Sequence, residues 1–230
     1  MNYRYGEAGD RWRVQHGDVW EAGGNYYLNA LHEDPFADRF VNHFRVDLVY
    51  TDPPWGTAMC KAYRTKAKHP TDGITFDDFL ARFVQLINRG VEAYVEMGNR
   101  DTPKVMEVLE GAGFHRFTAA RLTYYKNRPC VLIYGTFSGQ PDPKPTNRDS
   151  GFGLDDSQAP YWAIKRSTRP GQCVLDPCMG QGLTGLAAYQ EGRQAVGIEM
   201  HPRRMAVALD VVARETGTDP RKVDNLKGRT

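Results

Sequence analysis

Gln172-Cys173-Val174-Leu175-Asp176-Pro177-Cys178-Met179-Gly180-Gln181-Gly182-Leu183-Thr184-Gly185 reads as a short buried strand, a glycine loop and the opening of a helix that runs on through Leu186-Ala187-Ala188. Glycines at such a turn accept left-handed backbone and let a ligand approach bare main chain at a helix N-terminus. By itself the loop fits an ordinary strand-to-helix turn equally well. The segment that follows decides between the two. Ala195-Val196-Gly197-Ile198-Glu199 is a second strand ending in an acid, and an acid one βα unit after a glycine loop stands where a ribose diol is gripped.

Strands and helices alternate outward from this unit. Residues 77–87 have helical apolar spacing with Thr75 or Asp77 as N-cap and Gly90 beyond the end. Residues 93–97 are a strand, and Asp101 with Pro103 opens another helix that stops at Gly111 and Gly113. Residues 117–125 and 131–137 are two strands around Asn127-Arg128-Pro129, which suggests a closing hairpin. His201-Pro202 begins a final helix with Met205, Leu209 and Val212 on one side. The expected fold is a single α/β domain over residues 1–230, Rossmann-like, with a mixed, mostly parallel sheet. It divides into a catalytic half 1–137, a crossover linker 138–159 rich in Pro, Gly, Asp and Ser, and a cofactor-loop half 160–230.

The chemistry is written in Asp52-Pro53-Pro54-Trp55, directly after the apolar run Val46-Asp47-Leu48-Val49-Tyr50-Thr51. The exocyclic amine of adenine or cytosine shares its lone pair with the ring and is a poor nucleophile. Asp52 can accept one of its hydrogens and the Pro53 carbonyl the other, while the Pro53-Pro54 step limits how far either acceptor wanders. Trp55 offers a stacking face to a base taken out of its helix. Acceptors that tighten as positive charge develops on the attacking nitrogen favour the transition state. The bland alternative is a Pro-rich turn with a half-buried Trp.

Together these strings resemble the S-adenosylmethionine-dependent amino-methyltransferases of DNA. Their catalytic motif is Asp/Asn/Ser-Pro-Pro-Tyr/Phe/Trp and their cofactor loop often reads Asp-Pro-Phe-x-Gly-x-Gly. The early catalytic motif and late cofactor loop are similar to the permuted β-class order. The resemblance implies S-adenosylmethionine as cofactor and an Asp52-Pro53-Pro54-Trp55 site presenting the base. It implies that Asp176, Pro177, Cys178, Gly180 and Gly182 hold the methionine part, that Glu199 and Met200 hold the ribose side, and that Asp18 with Val19, in Gly17-Asp18-Val19, lies near the cofactor adenine. Pro160 to Ile164 matches the helix that closes over the methionine end. Cys178 stands where the family usually has Phe, and Trp55 where it usually has Tyr. An Asp in the first motif position goes mostly with adenine, so N6-adenine methylation in DNA is the implied reaction. The same chemistry on RNA, a non-catalytic nucleic-acid-binding subunit, and methylation of a small molecule or protein amide are the competing readings.

Composition is compatible with this. The chain has 230 residues and a formal net charge of +2, enough for one core but not for a separate target-recognition domain. A homodimer or a specificity partner is left open. Four cysteines without Cys-x-x-Cys spacing predict reduced thiols, no metal and a cytoplasmic protein, and no apolar stretch predicts membrane insertion. Residues 56–73 read as an irregular basic segment, either a solvated loop with charges for solubility or one in which Lys61, Tyr63, Arg64, Lys66 and Lys68 contact nucleic acid, and its place next to Trp55 favours the contact. Glu96, a carboxylate ending a sheet strand, could face the site, with packing or a salt bridge as the leading expectation. Trp12, Trp20 and Trp162 are expected in the core, and His16, His43 and His115 at the surface or at helix ends.

Overall fold

In a computed structural model, which describes residues 5–87, 92–124, 128–136, 154–224 and 226, helices and strands alternate as the periodicities require. In chain order the elements are α1 (Tyr5–Trp12), β1 (Val19–Ala22), β2 (Asn25–Leu28), α2 (Pro35–Val41), β3 (Leu48–Thr51), α3 (Gly56–Lys66), α4 (Phe76–Ile87), β4 (Glu92–Gly98) and α5 (Thr102–Gly111). They continue as β5 (His115–Tyr124), β6 (Arg128–Thr136), α6 (Ala159–Ser167), β7 (Cys173–Asp176), α7 (Leu183–Gln190), β8 (Gln194–Ile198), α8 (Pro202–Thr216) and β9 (Arg221–Lys222). Gly90, Asn127 and the crossover linker as far as residue 153 lie outside the described residues.

The strands form one sheet in the order β5-β6-β4-β3-β7-β8-β2-β1-β9. Its centre, from β4 through β3, β7 and β8 to β2, is parallel. Both edges are antiparallel: the β5–β6 hairpin on β4, and β1 with β9 beyond β2. This is a Rossmann-like α/β sheet, and the expected antiparallel pair β5–β6 closes one edge of it, with Arg128 and Pro129, expected in its turn, instead beginning β6. Each parallel strand reads as a short apolar run because both faces are covered. Successive side chains divide between the faces. Val49, Ala93, Val95 and Met97 pack with α4 and α5, whereas Leu48, Tyr50 and Tyr94 pack with α6 and α7.

Local chemistry explains the element boundaries. Thr75 Oγ1 accepts from the Asp78 amide at 3.1 Å and Asp78 Oδ2 accepts from the Thr75 amide at 3.2 Å, a reciprocal cap that starts α4. Its Phe76, Phe79, Leu80, Phe83, Leu86 and Ile87 are all buried, each contributing roughly 1.5–3 kcal/mol of burial. His201 Nδ1 accepts from the Arg203 amide at 3.2 Å at the start of α8, and Gly217 closes that helix at φ +67°. Trp12 and Trp20 pack edge to face at 6.2 Å in a cluster beneath α8. Trp162 is half-buried against the Tyr94 ring at 5.9 Å. One segment differs from expectation: residues 56–66 are the helix α3, not an irregular loop. It lacks the strong apolar stripe by which α4 announces itself, burying only Cys60 and Arg64.

Candidate active site

Parallel strands that share a sheet bring their carboxyl ends to one edge, and a crevice forms there. β3, β7 and β8 end at Thr51, Asp176 and Ile198, so Asp52, the glycine loop and Glu199 meet although they are far apart in sequence. They line one cavity of about 1230 Å³. Along the sheet edge, Asp52, Pro53, Pro54 and Trp55 line it at the β3 end, and Asp176, Pro177, Cys178, Gly180, Glu199 and Met200 at the β7 and β8 end.

At the glycine end, Asp176 is buried, and its Oδ2 accepts from Thr184 Oγ1 at 2.6 Å while Oδ1 accepts from the Cys178 amide at 3.0 Å. Burial raises its acid to about 6, against the lowering effect of those two hydrogen bonds. Gly180 has φ +57°, and a Cβ there would lie 2.8 Å from Arg204 Nη2. Gly182 caps α7 at φ +83° and does not line the cavity; a Cβ there would meet Ala208 Cβ at 2.6 Å. Its role is to let α8 close on the loop. Glu199 is buried, its Oε1 accepts from the His201 amide at 2.8 Å, and burial raises its acid against the pull of Arg204. Cys178 is a neutral thiol, raised well above its usual range by burial and then by Asp176, and forms a small apolar wall.

At the other end, Trp55 Nε1 donates to Asp52 Oδ1 at 3.1 Å and the Tyr124 hydroxyl donates to Oδ2 at 3.4 Å. The two rings lie 4.7 Å apart, tilted by 54°. The Trp55 ring rests on Gly98, where a Cβ would stand 2.9 Å from its Cε3. Burial lifts the Asp52 acid to about 7, and the nearby Asp176 charge also raises it.

Several sequence expectations are redirected. Asp18 and Val19 do not line the cavity. Val19 is 1% exposed in the core, and the Asp18 carboxylate is held by the Gln15 amide at 2.9 Å and Lys222 Nζ at 2.8 Å, so its charge is spent on β1 and β9. Arg64 reaches the cavity but is 7% exposed, paired with Glu33 and bonded to the Pro70 carbonyl at 3.3 Å; it joins α3 to the domain instead of offering a free cation. Tyr63 lines the cavity, with the Arg204 guanidinium 5.2 Å from its ring centre. Lys61, Lys66 and Lys68 are exposed outside it. Glu96 has no salt bridge in the described structure and lines the cavity. Tyr50, Glu96, Tyr124 and Arg204 complete the walls. Each comes from a different element; Glu96 alone is signalled in the sequence, as a carboxylate ending a strand, and Tyr50, Tyr124 and Arg204 carry no local signal. Among the described residues no group of three or more His, Cys, Asp and Glu is placed to hold a metal ion, and no helix is long and apolar enough to cross a membrane.

Comparisons with known proteins converge on this architecture. Residues 158–210 match the N6/N4 methyltransferase family, described as DNA methylase. Over 47 residues the chain is 49% identical to the type II methyltransferase M.XycI of Xanthomonas campestris pv. cyanopsidis, a match covering 20% of this chain and 16% of that protein. The M1.HpyAVI–SAM complex superposes with a TM-score of 0.59 at 20% identity, over 80% of this chain and 98% of that one. The cytosine-N4-specific PvuII DNA methyltransferase superposes with a TM-score of 0.58 at 15% identity, over 84% of this chain and 89% of that one. The high identity is confined to a short segment of the chain, and the solved structures share the fold.

Proposed function

We propose that this chain transfers the methyl group of S-adenosylmethionine to the exocyclic amine of a base in DNA, and that the base is adenine, modified at N6. The observation that carries the reading is the placement of Asp52 and the glycine loop on neighbouring strands of one cavity. The Asp in the first position of the motif supports adenine.

The glycine end fits the cofactor on its own geometry. Gly180 leaves bare backbone at the cavity wall where a Cβ would be crowded, and Asp176 and Glu199 are buried acids facing the same space. Asp176 suits the ammonium of the methionine part and Glu199 the ribose diol. When bound, the cofactor supplies a methyl group on a sulfonium, an electrophile that needs no metal. The chain's own residues act on the base. Asp52 accepts a hydrogen of the amine, drawing the nitrogen toward tetrahedral geometry. Trp55 and Tyr124 hold the ring, and Pro53 and Pro54 keep the acceptor still. As the nitrogen–carbon bond forms, the carbon–sulfur bond breaks. The surplus proton on nitrogen leaves to Asp52 or to water. The exposed Lys61 and Lys66 on α3, beside Tyr63, suit the phosphates of the strand that delivers the base.

The test incubates the protein with methyl-labelled S-adenosylmethionine and unmodified duplex DNA, followed by digestion and mass spectrometry of the nucleosides. N6-methyldeoxyadenosine is the expected product. N4-methyldeoxycytidine would replace adenine by cytosine within the same chemistry, and label on RNA alone would overturn the DNA assignment.

A further inference from the structure

β4 brings to the cavity a carboxyl that the reaction above leaves without a task. Glu96 is 2% exposed, yet it lines the cavity together with Asp52 and Trp55. Its Oε1 accepts from the Tyr50 hydroxyl. Its Oε2 is shielded from water and has no hydrogen-bond partner among the described residues. Leaving a buried polar atom unpaired is costly, and an apolar residue at this place in the strand would avoid that cost. Glu96 lines the cavity, so a group that displaces the side chains covering Oε2 can reach it from there.

The groups facing Glu96 decide its protonation. They are Tyr50 from β3, Asp52 just beyond it, Asp156 ahead of α6 and Asp176 from β7, with Tyr124 and Cys130 from the hairpin. None of these is a cation. Burial first, and the charge of Asp52 second, keep the carboxyl neutral well above the ordinary carboxylate range. With Oε1 occupied as an acceptor, Oε2 is the atom left to carry a proton to a partner.

We infer that Glu96 is a specificity-determining residue of the base end: its unpartnered Oε2 donates a hydrogen bond to the ring nitrogen beside the amine held by Asp52, so that the two carboxyl groups grip one amidine edge. Adenine presents that edge at N1 and N6, cytosine at N3 and N4. A thymine or uracil ring sets a carbonyl oxygen against Asp52 and an N–H against the Glu96 proton, and both contacts repel. The inference deepens the methyl-transfer reading of the same site and rests on it.

The experiment uses the full chain and synthetic duplexes containing the site that it methylates in plasmid DNA. One duplex carries the natural base and the other 1-deazaadenine or 3-deazacytosine, which keep the amine and lack the neighbouring ring nitrogen. The wild-type protein is expected to lose roughly 10- to 100-fold in kcat/KM on the deaza duplex. Glu96→Ala is expected to lose a similar factor on the natural base and little more on the deaza base. Glu96→Gln keeps a donor that cannot ionise, and is expected to retain most activity on the natural base and the full deaza penalty. A wild-type rate indifferent to the deaza base, or the same penalty in Glu96→Ala as in wild type, overturns the inference while leaving methyl transfer standing. A wild-type protein that labels no base overturns the parent reading and this one with it. Should Glu96→Ala fail a thermal-shift check for folding, the wild-type and Glu96→Gln penalties decide the matter between them.

Discussion

Asp176 ends β7 and Asp52 directly follows the neighbouring parallel strand β3, and burial pushes the acid of each upward, to about 6 and about 7. Their surroundings differ. Asp176 is satisfied from within its own loop, by Thr184 Oγ1 at 2.6 Å and the Cys178 amide at 3.0 Å, and neighbouring Gly182 lets α8 close on that loop. Asp52 is held by two long hydrogen bonds, 3.1 Å from Trp55 and 3.4 Å from Tyr124, made by the same aromatic groups that an entering base would contact. On the proposed function, the cofactor end is therefore complete before any ligand arrives, whereas the base end is poised to exchange its own donors for those of the substrate. Preorganised acceptors at the first end contribute affinity; acceptors released at the second contribute to the transition state.

The hardest blow to this contrast is Asp52→Ala. It is expected to lower kcat by about 10³-fold or more, because an interaction made chiefly in the transition state is removed, while calorimetric affinity for S-adenosylmethionine changes little. Retained turnover would show that the base end does not act through its carboxylate. Gly182→Ala is the converse. Its new methyl group would meet Ala208 Cβ at 2.6 Å from a backbone at φ +83°, so a loss of about 2–4 kcal/mol in unfolding free energy is expected, with weakened cofactor binding. An unchanged melting temperature would mean that the glycine loop is not held against α8 as tightly as Asp176 requires.

How much of this was legible in the sequence follows from how local each feature is. Asp52 to Trp55, Asp176 to Gly182 and Glu199 are readable because backbone turn and functional group sit within a few residues of each other, so the string carries the geometry. The α/β alternation is readable for the same reason: α4 repeats its apolar residues at helical spacing over three turns. Glu96, Tyr50, Tyr124 and Arg204 reach the cavity from β4, β3, β5 and α8, and only the strand order brings them together. Asp18 shows the opposite case, a local string whose side chain is paired from far away. Its Gly-Asp string matches a motif, yet Lys222, which pairs with it, sits on a strand near the other end of the chain. Arg64 belongs to the same class, since nothing near it in sequence announces Glu33 as its partner.

The gentlest test separates the two ends by pH. Asp52 accepts a hydrogen from the amine more strongly as a carboxylate than as an acid, so log kcat/KM for the free protein is expected to fall below pH 7, following the acid that burial raises to about 7. Asp176 must be ionised to hold an ammonium, so cofactor affinity is expected to hold until pH nears 6 and fall below it. Between the two limbs lies a window in which the cofactor still binds and transfer has already slowed. Stability has the opposite sign. Both folded acids titrate above the usual Asp value, so the folded chain binds protons more readily than the unfolded chain does. Their contribution to stability is fully present below about pH 4 and is lost as pH rises through 6 and 7. Asp52→Asn removes one such group, so it is expected to raise the melting temperature more at pH 8 than at pH 5. If the two limbs instead coincide, the acids titrate as one unit, and the division between a finished cofactor end and a poised base end gives way to a single coupled site.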